Sequence, residues 1–267
     1  MLYFADSLKL LYPKFHNSLI AILSENEIEF DIIPKTKDVW LRDFMPVKAK
    51  SNFVWFTYNP IYLKPKKYHH LITSRTDITL AKTYNITQSD LIIDGGNCLI
   101  YKGQSLLTDR IYIDNKHLSD KEINRRLIET LKLERVIILP SVPNDFTGHI
   151  DGLARWLDEK TILLSNPENE KEYYKSKLYS GLKKQQLNYV FIENKTNLNS
   201  DYISAKGCYT NYIELENEIL FPVFNIKSDQ KAMNQIQLLF PSKKLVPIYS
   251  NAIAKNGGLL HCISWQD

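Results

Sequence analysis

One order of elements returns five times along the 267 residues, and it narrows the architectures open to the chain more than any other feature. Apolar residues recur at helical spacing over Phe15–Ser24, His70–Tyr84, Ser119–Leu133, Glu170–Leu187 and Ser228–Phe240. After each comes a short apolar or β-branched run that reads as a strand: Phe30–Ile33, Leu91–Ile93, Val136–Leu139, Tyr189–Ile192 and Leu245–Tyr249. The clearest helix is Ser119–Leu133, where Ser119 and Glu122 form a capping-box pattern and Ile123, Leu127, Ile128 and Leu131 share a face. Ser228 is predicted as an N-cap, with Pro241 as the stop. Threonines dilute the periodicity of His70–Tyr84. Helix, strand and polar loop repeat at a spacing of about 50 residues, with no linker or low-complexity segment between units. The prediction is one α/β domain over residues 1–267, its units ranged around an axis.

Such an arrangement makes the loops beyond the five strands converge. They read Trp40-Leu41-Arg42-Asp43, Asp94-Gly95-Gly96-Asn97, Gly148-His149-Ile150-Asp151, Tyr209-Thr210-Asn211 and Gly257-Gly258-Leu259-Leu260-His261-Cys262. Polar loops gathered at one end of a rigid scaffold are where active sites are built. In the last of them, Gly257 and Gly258 permit a tight turn and a close backbone approach. They deliver a thiol to a stretch that would otherwise be expected to fray, which predicts a tail buried for chemistry.

Charge and cysteine usage exclude several classes. The balance of 34 Lys and Arg against 30 Asp and Glu leaves +4, too small and too dispersed for a nucleic-acid surface. The run Lys64-Pro65-Lys66-Lys67 reads as a solvated loop. Cys98, Cys208 and Cys262 lack C-x-x-C spacing, so neither a disulfide framework nor a zinc knuckle is indicated. There is no apolar run of about 18 residues and no secretory pattern at the start, so a cytoplasmic protein without a membrane partner is expected. Cys98 and Cys208 are expected to be packing residues, and His16, His69, His70 and His117 to be surface residues.

If Cys262, His149, Asp43, Asp151 and Asp94 share a pocket, their chemistry is restricted. An imidazolium beside a thiol favours the reactive thiolate. A papain-like protease orders its cysteine before its histidine, whereas His149 precedes Cys262 here. Several carboxylates in one pocket repel one another unless a cation joins them. A metal held by His149 and Asp151 is one candidate, although no second ligand pair is evident and a thiol beside hard carboxylates suits no common site. An organic cation fits better: a guanidinium is planar, stays protonated and is matched by paired carboxylates.

These motifs resemble a known family. Asp38-Val39-Trp40-Leu41-Arg42-Asp43-Phe44-Met45-Pro46, Asp94-Gly95-Gly96-Asn97, Gly148 to Arg155, Cys208 to Tyr212 and Gly257 to Ile263 look like segments of the agmatine deiminase and bacterial peptidylarginine deiminase family. The resemblance runs from about Asp38 to the end. It implies the pentein fold, a pseudo-fivefold, five-bladed α/β propeller. It also implies Cys262 as nucleophile, His149 as general acid and base, and Asp43 and Asp151 as the carboxylates that grip the guanidinium. Trp40 matches an aromatic near the substrate's alkyl stem, and Asp94, Asn97, Arg42 and Arg155 are carried as further substrate-binding candidates. No cofactor or metal is implied. The expected partner is a small guanidino substrate, with a second copy of the chain as a candidate.

The sequence departs from the family in having Asp94 where Glu is usual, and in lacking a Thr-Trp-x-x-Trp-Pro pattern near its start. Structural alternatives for the site residues are a loop-capping role for His149 and Asp151, an ion pair with Arg42 or a helix N-terminus for Asp43, and a side-chain turn at Asp94. His261 is expected to point away from the pocket if a strand alternates there. Agmatine leads as substrate. Free or peptidyl arginine, amidino transfer to an amine, and a non-catalytic guanidinium-binding module are the alternatives.

Overall fold

A computed structural model describes residues 1–50, 52–80, 84–194 and 203–267. From the start, β1 (Leu2–Ala5), α1 (Ser7–Leu11), α2 (Pro13–Glu25) and β2 (Phe30–Ile33) lead through the short α3 (Leu41–Phe44) to β3 (Val47–Ala49), β4 (Asn52–Thr57) and β5 (Ile86–Ile92). Next come β6 (Leu99–Tyr101), β7 (Gln104–Thr108), α4 (Arg110–Asp114), α5 (Asp120–Leu131) and β8 (Arg135–Leu139). The third repeat follows as α6 (Ile150–Leu153), β9 (Ala154–Trp156), β10 (Thr161–Ser165), α7 (Glu172–Lys184) and β11 (Asn188–Ile192). The described chain closes with β12 (Ile213–Glu214), β13 (Glu218–Val223), α8 (Lys227–Leu239), β14 (Lys244–Tyr249), α9 (Asn251–Ala254) and β15 (Ser264–Gln266).

The strands make five three-stranded sheets with one internal plan. In each, the first strand is antiparallel to the second and the second is parallel to the third, as in β6-β7-β8 and β9-β10-β11. Parallel neighbours need a crossover, and in four of the blades the crossover carries the longer helices α2, α5, α7 and α8. This is the predicted five-bladed, pseudo-fivefold α/β propeller. The fifth blade is composite: β1 pairs with β15, Leu2 opposite Gln266 and Phe4 opposite Ser264. Among the described residues, no helix is long and apolar enough to cross a membrane.

Four of the five predicted helices form, with ends moved by a few residues. α5 begins after Ser119, whose Oγ accepts the Glu122 N–H at 3.2 Å; the Glu122 carboxylate turns instead to Arg125 and Arg126. α8 starts one residue before Ser228, because Asp229 Oδ2 accepts the N–H groups of Phe224 and Ile226, at 3.0 Å each. Three helices end alike, with a left-handed residue at Glu27, Lys132 or Gln186. The next N–H then returns to a carbonyl one turn back, as Leu133 does to Ile128 at 2.9 Å.

The helix predicted over His70–Tyr84 is a correction. Residues 81–83 lie outside the described residues; before them the chain makes 3₁₀ turns at Ile61–Leu63 and Lys66–Leu71 and then an irregular segment. Side chains there satisfy the backbone locally: Asp77 Oδ2 accepts the Ser74 N–H at 3.0 Å, and Ser74 Oγ meets Thr76 Oγ1 at 2.9 Å. Such bonds compete with the helical ladder. The Lys64–Lys67 run is exposed, as expected.

Candidate active site

In every blade the chemistry-bearing loop joins the third strand to the first strand of the next blade. α3 carries Asp43, the 3₁₀ turn Gly95–Asn97 follows Asp94, α6 carries Asp151 just after His149, and Cys262 follows α9. These loops meet at a cavity of about 610 Å³. Trp40, Asp43, His149, Asp151, Asn211 and Cys262 line it. So do the carboxylates of Asp38, Asp145 and Glu170; no lysine or arginine lines it among the described residues.

His149 is held between two aspartates, with Nε2 3.0 Å from Asp94 Oδ2 and Nδ1 3.6 Å from Asp43 Oδ1. Burial lowers its proton affinity, but Asp43, Asp94 and Asp151 outweigh this and push the imidazole up to about 10. Asp43 is raised to about 8 by burial and by the neighbouring Asp94 and Asp151, with His149 and the Gly96 N–H opposing. Both shifts have one origin. The cluster holds more negative charge than a single imidazolium offsets, as a site built for a further cation should.

Asp151 is the opposite case. Burial would raise it, but His261 Nδ1 at 2.8 Å and the charges of His149 and Arg155 keep it below the usual carboxylate range. His261 itself stays neutral, because burial and the Arg42 and Arg155 guanidiniums push its pKa well down. Cys262 Sγ lies 3.4 Å from Asn211 Oδ1 and 3.7 Å from Asp151 Oδ2. Burial and the Asp151 and Asp43 carboxylates push its thiol well up.

Two backbone features allow the convergence. A Cβ built on Gly96 would fall 2.7 Å from Asp43 Oδ1 and 2.8 Å from His149 Nδ1, so this position admits no side chain. A Cβ on Gly258 would penetrate the Trp40 ring. Gly257 turns with φ +87°, in the region that favours glycine. The Arg42 N–H donates to the Cys262 carbonyl at 3.0 Å, fixing the Cys262 loop against α3.

Several predicted substrate contacts lie behind the cavity wall. Asp94 grips His149 and accepts the Tyr62 hydroxyl at 2.7 Å; it makes no side-chain turn. Asn97 Oδ1 accepts from Thr108 N and Oγ1 and from Ile150 N, which ties two blade loops together. Arg42 Nε points to the His261 carbonyl at 3.5 Å, and Arg155 stacks on Tyr212 at 4.8 Å. Burial and the like charge of Arg155 bring Arg42 down to about 10. Neither guanidinium reaches a carboxylate within 4.0 Å among the described residues, because both are turned toward backbone and ring.

His261 does not line the cavity, yet it is bonded to Asp151 from behind. The reason is local: residues 259–263 form turns, and β15 starts only at Ser264, so strand alternation does not apply. Cys98 packs in the core with Ile93 and Leu107, as expected. Cys208 is buried but also lines the cavity, its thiol donating to the Gly152 carbonyl at 3.3 Å. His69, His70 and His117 are exposed and His16 half-buried. Asn211 was legible only as a polar residue in the fourth loop; Tyr62 carried no signal. Among the described residues, no group of three or more His, Cys, Asp or Glu is arranged to hold a metal ion.

Five blades around a Cys, His and carboxylate pocket define a pentein, and the class is that of hydrolases acting on C–N bonds other than peptide bonds. The sequence profile of the Porphyromonas-type peptidyl-arginine deiminase family matches residues 10–267, and the chain belongs to that family. It is 25% identical over 276 residues to a Latilactobacillus sakei protein provisionally named agmatine deiminase, covering 86% of this chain and 74% of that one. It is 25% identical over 210 residues to the agmatine deiminase of Pseudomonas aeruginosa, covering 66% of this chain and 57% of the relative. The chain thus spans less than two thirds of the second relative's length. A cysteine-to-serine variant of C. jejuni agmatine deiminase with substrate bound superposes with a TM-score of 0.76 at 20% identity, over 99% of this chain and 92% of that one.

Proposed function

We propose that the five blades form one catalytic domain that hydrolyses agmatine to N-carbamoylputrescine and ammonia, with Cys262 as nucleophile and His149 as acid and base. One observation carries the choice of substrate: the described cavity lining is anionic and holds no lysine or arginine. A substrate with an α-carboxylate would meet Asp38, Asp145 or Glu170 with nothing to pair it, whereas a diamine-like guanidine brings charge of the right sign to both ends. The named activity of the relatives agrees with this reading.

The chemistry follows from the charges. A guanidinium between Asp43 and Asp151 supplies the missing cation, lowering the pKa of the Cys262 thiol and of Asp43. The thiolate forms a C–S bond to the guanidinium carbon, and the π pair moves onto nitrogen. His149 gives its proton to the departing nitrogen, the C–N bond breaks, and ammonia leaves a covalent thiouronium. A water then forms a C–O bond to that carbon as His149 takes one of its protons; the C–S bond breaks with its electron pair returning to sulfur, the remaining hydroxyl proton passes to solvent as the C=O bond forms, and a ureido group remains. With three thiols and no predicted disulfide, we read the protein as cytoplasmic.

The test is turnover of agmatine, free arginine and a peptidyl arginine by the purified protein, read as ureido product and ammonia. Agmatine is expected to be preferred in kcat/KM. A preference for free arginine would remove the substrate assignment, and binding without any ammonia release would remove the enzyme assignment.

A further inference from the structure

Between β4 and β5, where the other blades carry α-helix, the chain makes the 3₁₀ turn Ile61–Leu63. Tyr62 projects from it into the cavity wall. Its hydroxyl donates to Asp94 Oδ2 at 2.7 Å, and the same oxygen receives His149 Nε2 at 3.0 Å. Asp94 Oδ1 is buried without a partner among the described residues. One carboxylate oxygen therefore divides its charge between a phenol and an imidazole.

Tyr62 is held in place by a neighbouring blade. Its ring meets Phe146 edge-on, with centroids 5.3 Å apart at 80°, and the Arg110 guanidinium lies 5.7 Å from the ring centre. Asp114 pairs with Arg110 at 3.1 Å and accepts the Ile61 N–H at 3.4 Å. The phenol sits in a fixed mount of aromatic and ionic contacts.

We propose that Tyr62 is a positioning residue for His149, acting through Asp94 to let the imidazole both give up and regain its proton within one turnover. The role rests on the deiminase reading. When His149 is an imidazolium it offsets the charge of Asp94; when it is neutral that charge is uncompensated in a buried site. Donation from Tyr62 therefore stabilises the neutral-histidine state more, and lowers the proton affinity of His149. The second half of the reaction needs that neutral state, since His149 must accept the proton of the attacking water. The groups facing His149 are Asp43, Asp94, Asp151 and Tyr62, with Cys262 across the same carboxylates. Those facing Tyr62 are Asp94, Tyr58, Asp43 and Arg110. Burial and these carboxylates keep the phenol protonated, and so a donor throughout.

The test is Tyr62→Phe, with thermal melting as the check on folding. In histidine-labelled protein without substrate, the NMR titration midpoint of His149 is expected to rise by about half a unit to one unit, the worth of one hydrogen bond. A fluorotyrosine at position 62, a stronger donor, should move it the other way. With agmatine, acid quench and mass spectrometry should find the Cys262 adduct accumulating. The rising limb of kcat against pH should move upward, with KM little changed. In an Asp94→Asn background, Tyr62→Phe should add nothing to the midpoint. An unchanged midpoint in a folded Tyr62→Phe protein overturns the proposal, as does an equal shift in the Asp94→Asn background. Failure of the parent protein to turn over agmatine overturns the deiminase reading alone, because the titration needs no substrate.

Discussion

At the scale of single residues, the structure brings Asp43, His149, Asp151 and Cys262 to one cavity and sets Gly96 close against two of them. Gly96→Ala forces a methyl against both Asp43 Oδ1, at 2.7 Å, and His149 Nδ1, at 2.8 Å, so both side chains must shift from their places in the cavity. We expect a fall in kcat/KM of about 100-fold, consistent with the effect of misplacing a reacting group by an ångström, with the melting temperature nearly kept. Burial and the neighbouring Asp94 and Asp151 carboxylates hold Asp43 well above the usual carboxylate range, so a guanidinium that binds beside it should favour the carboxylate and release a proton. Calorimetry of agmatine binding to a Cys262→Ala protein in two buffers of different ionisation enthalpy should report proton release at pH 7, fading above pH 8. A heat independent of buffer would count against this charge balance. The four residues named above were legible because each sits in a short polar loop whose residue types carry chemistry. Asn97, Arg42 and Arg155 sit in the same loops and look no different in sequence, yet their polar atoms serve backbone and ring. Tyr62 could not be read at all, since its role depends on Asp94, 32 positions away, and on a mount from another blade.

At the scale of elements, four helices and all five strands following the helices were visible as periodicity, because each buries one face in a blade interface. Their ends were less visible. Lys132, at the close of α5, holds φ 53° with no glycine to mark it, and Ser119 at the start was plain from its spacing to Glu122. The two ends make opposite predictions. Lys132→Gly should stabilise the protein by about 1 kcal/mol by relieving a left-handed side chain, and Ser119→Ala should destabilise it by about the same for the lost cap. Denaturant midpoints would show both, and kcat/KM should stay unchanged because neither residue approaches the cavity. The helix expected over His70–Tyr84 gives way, in the described residues before position 81, to turns for a physical reason: the Ser74 and Asp77 side chains bond the backbone locally.

At the scale of the whole molecule, the tail does more than carry a thiol. Read from sequence, the last six residues carry Cys262 and little of the core-forming sequence; the structure adds what Trp265 does there. Trp265 on β15 is 1% exposed, packs against Tyr3, Phe53 and Tyr84, and donates Nε1–H to the Pro46 carbonyl at 2.7 Å. Those partners belong to β1, β4 and the approach to β3 and β5, so one ring joins the composite fifth blade to the β3-β4-β5 blade, the two blades that the Asp43 loop connects. The backbone bond from Arg42 to the Cys262 carbonyl runs beside it. Trp265→Ala should therefore cost about 3–5 kcal/mol, as large buried aromatics do. Activity should fall with it even where the protein remains folded, since Cys262 loses its anchor against α3. Leu238→Ala, at 82% exposure on α8, serves as the control and should move neither denaturant midpoint nor turnover. If Trp265→Ala unfolded at the parent midpoint with full activity, the closing strand would be an appendage, and the coupling of blade closure to the nucleophile would be wrong.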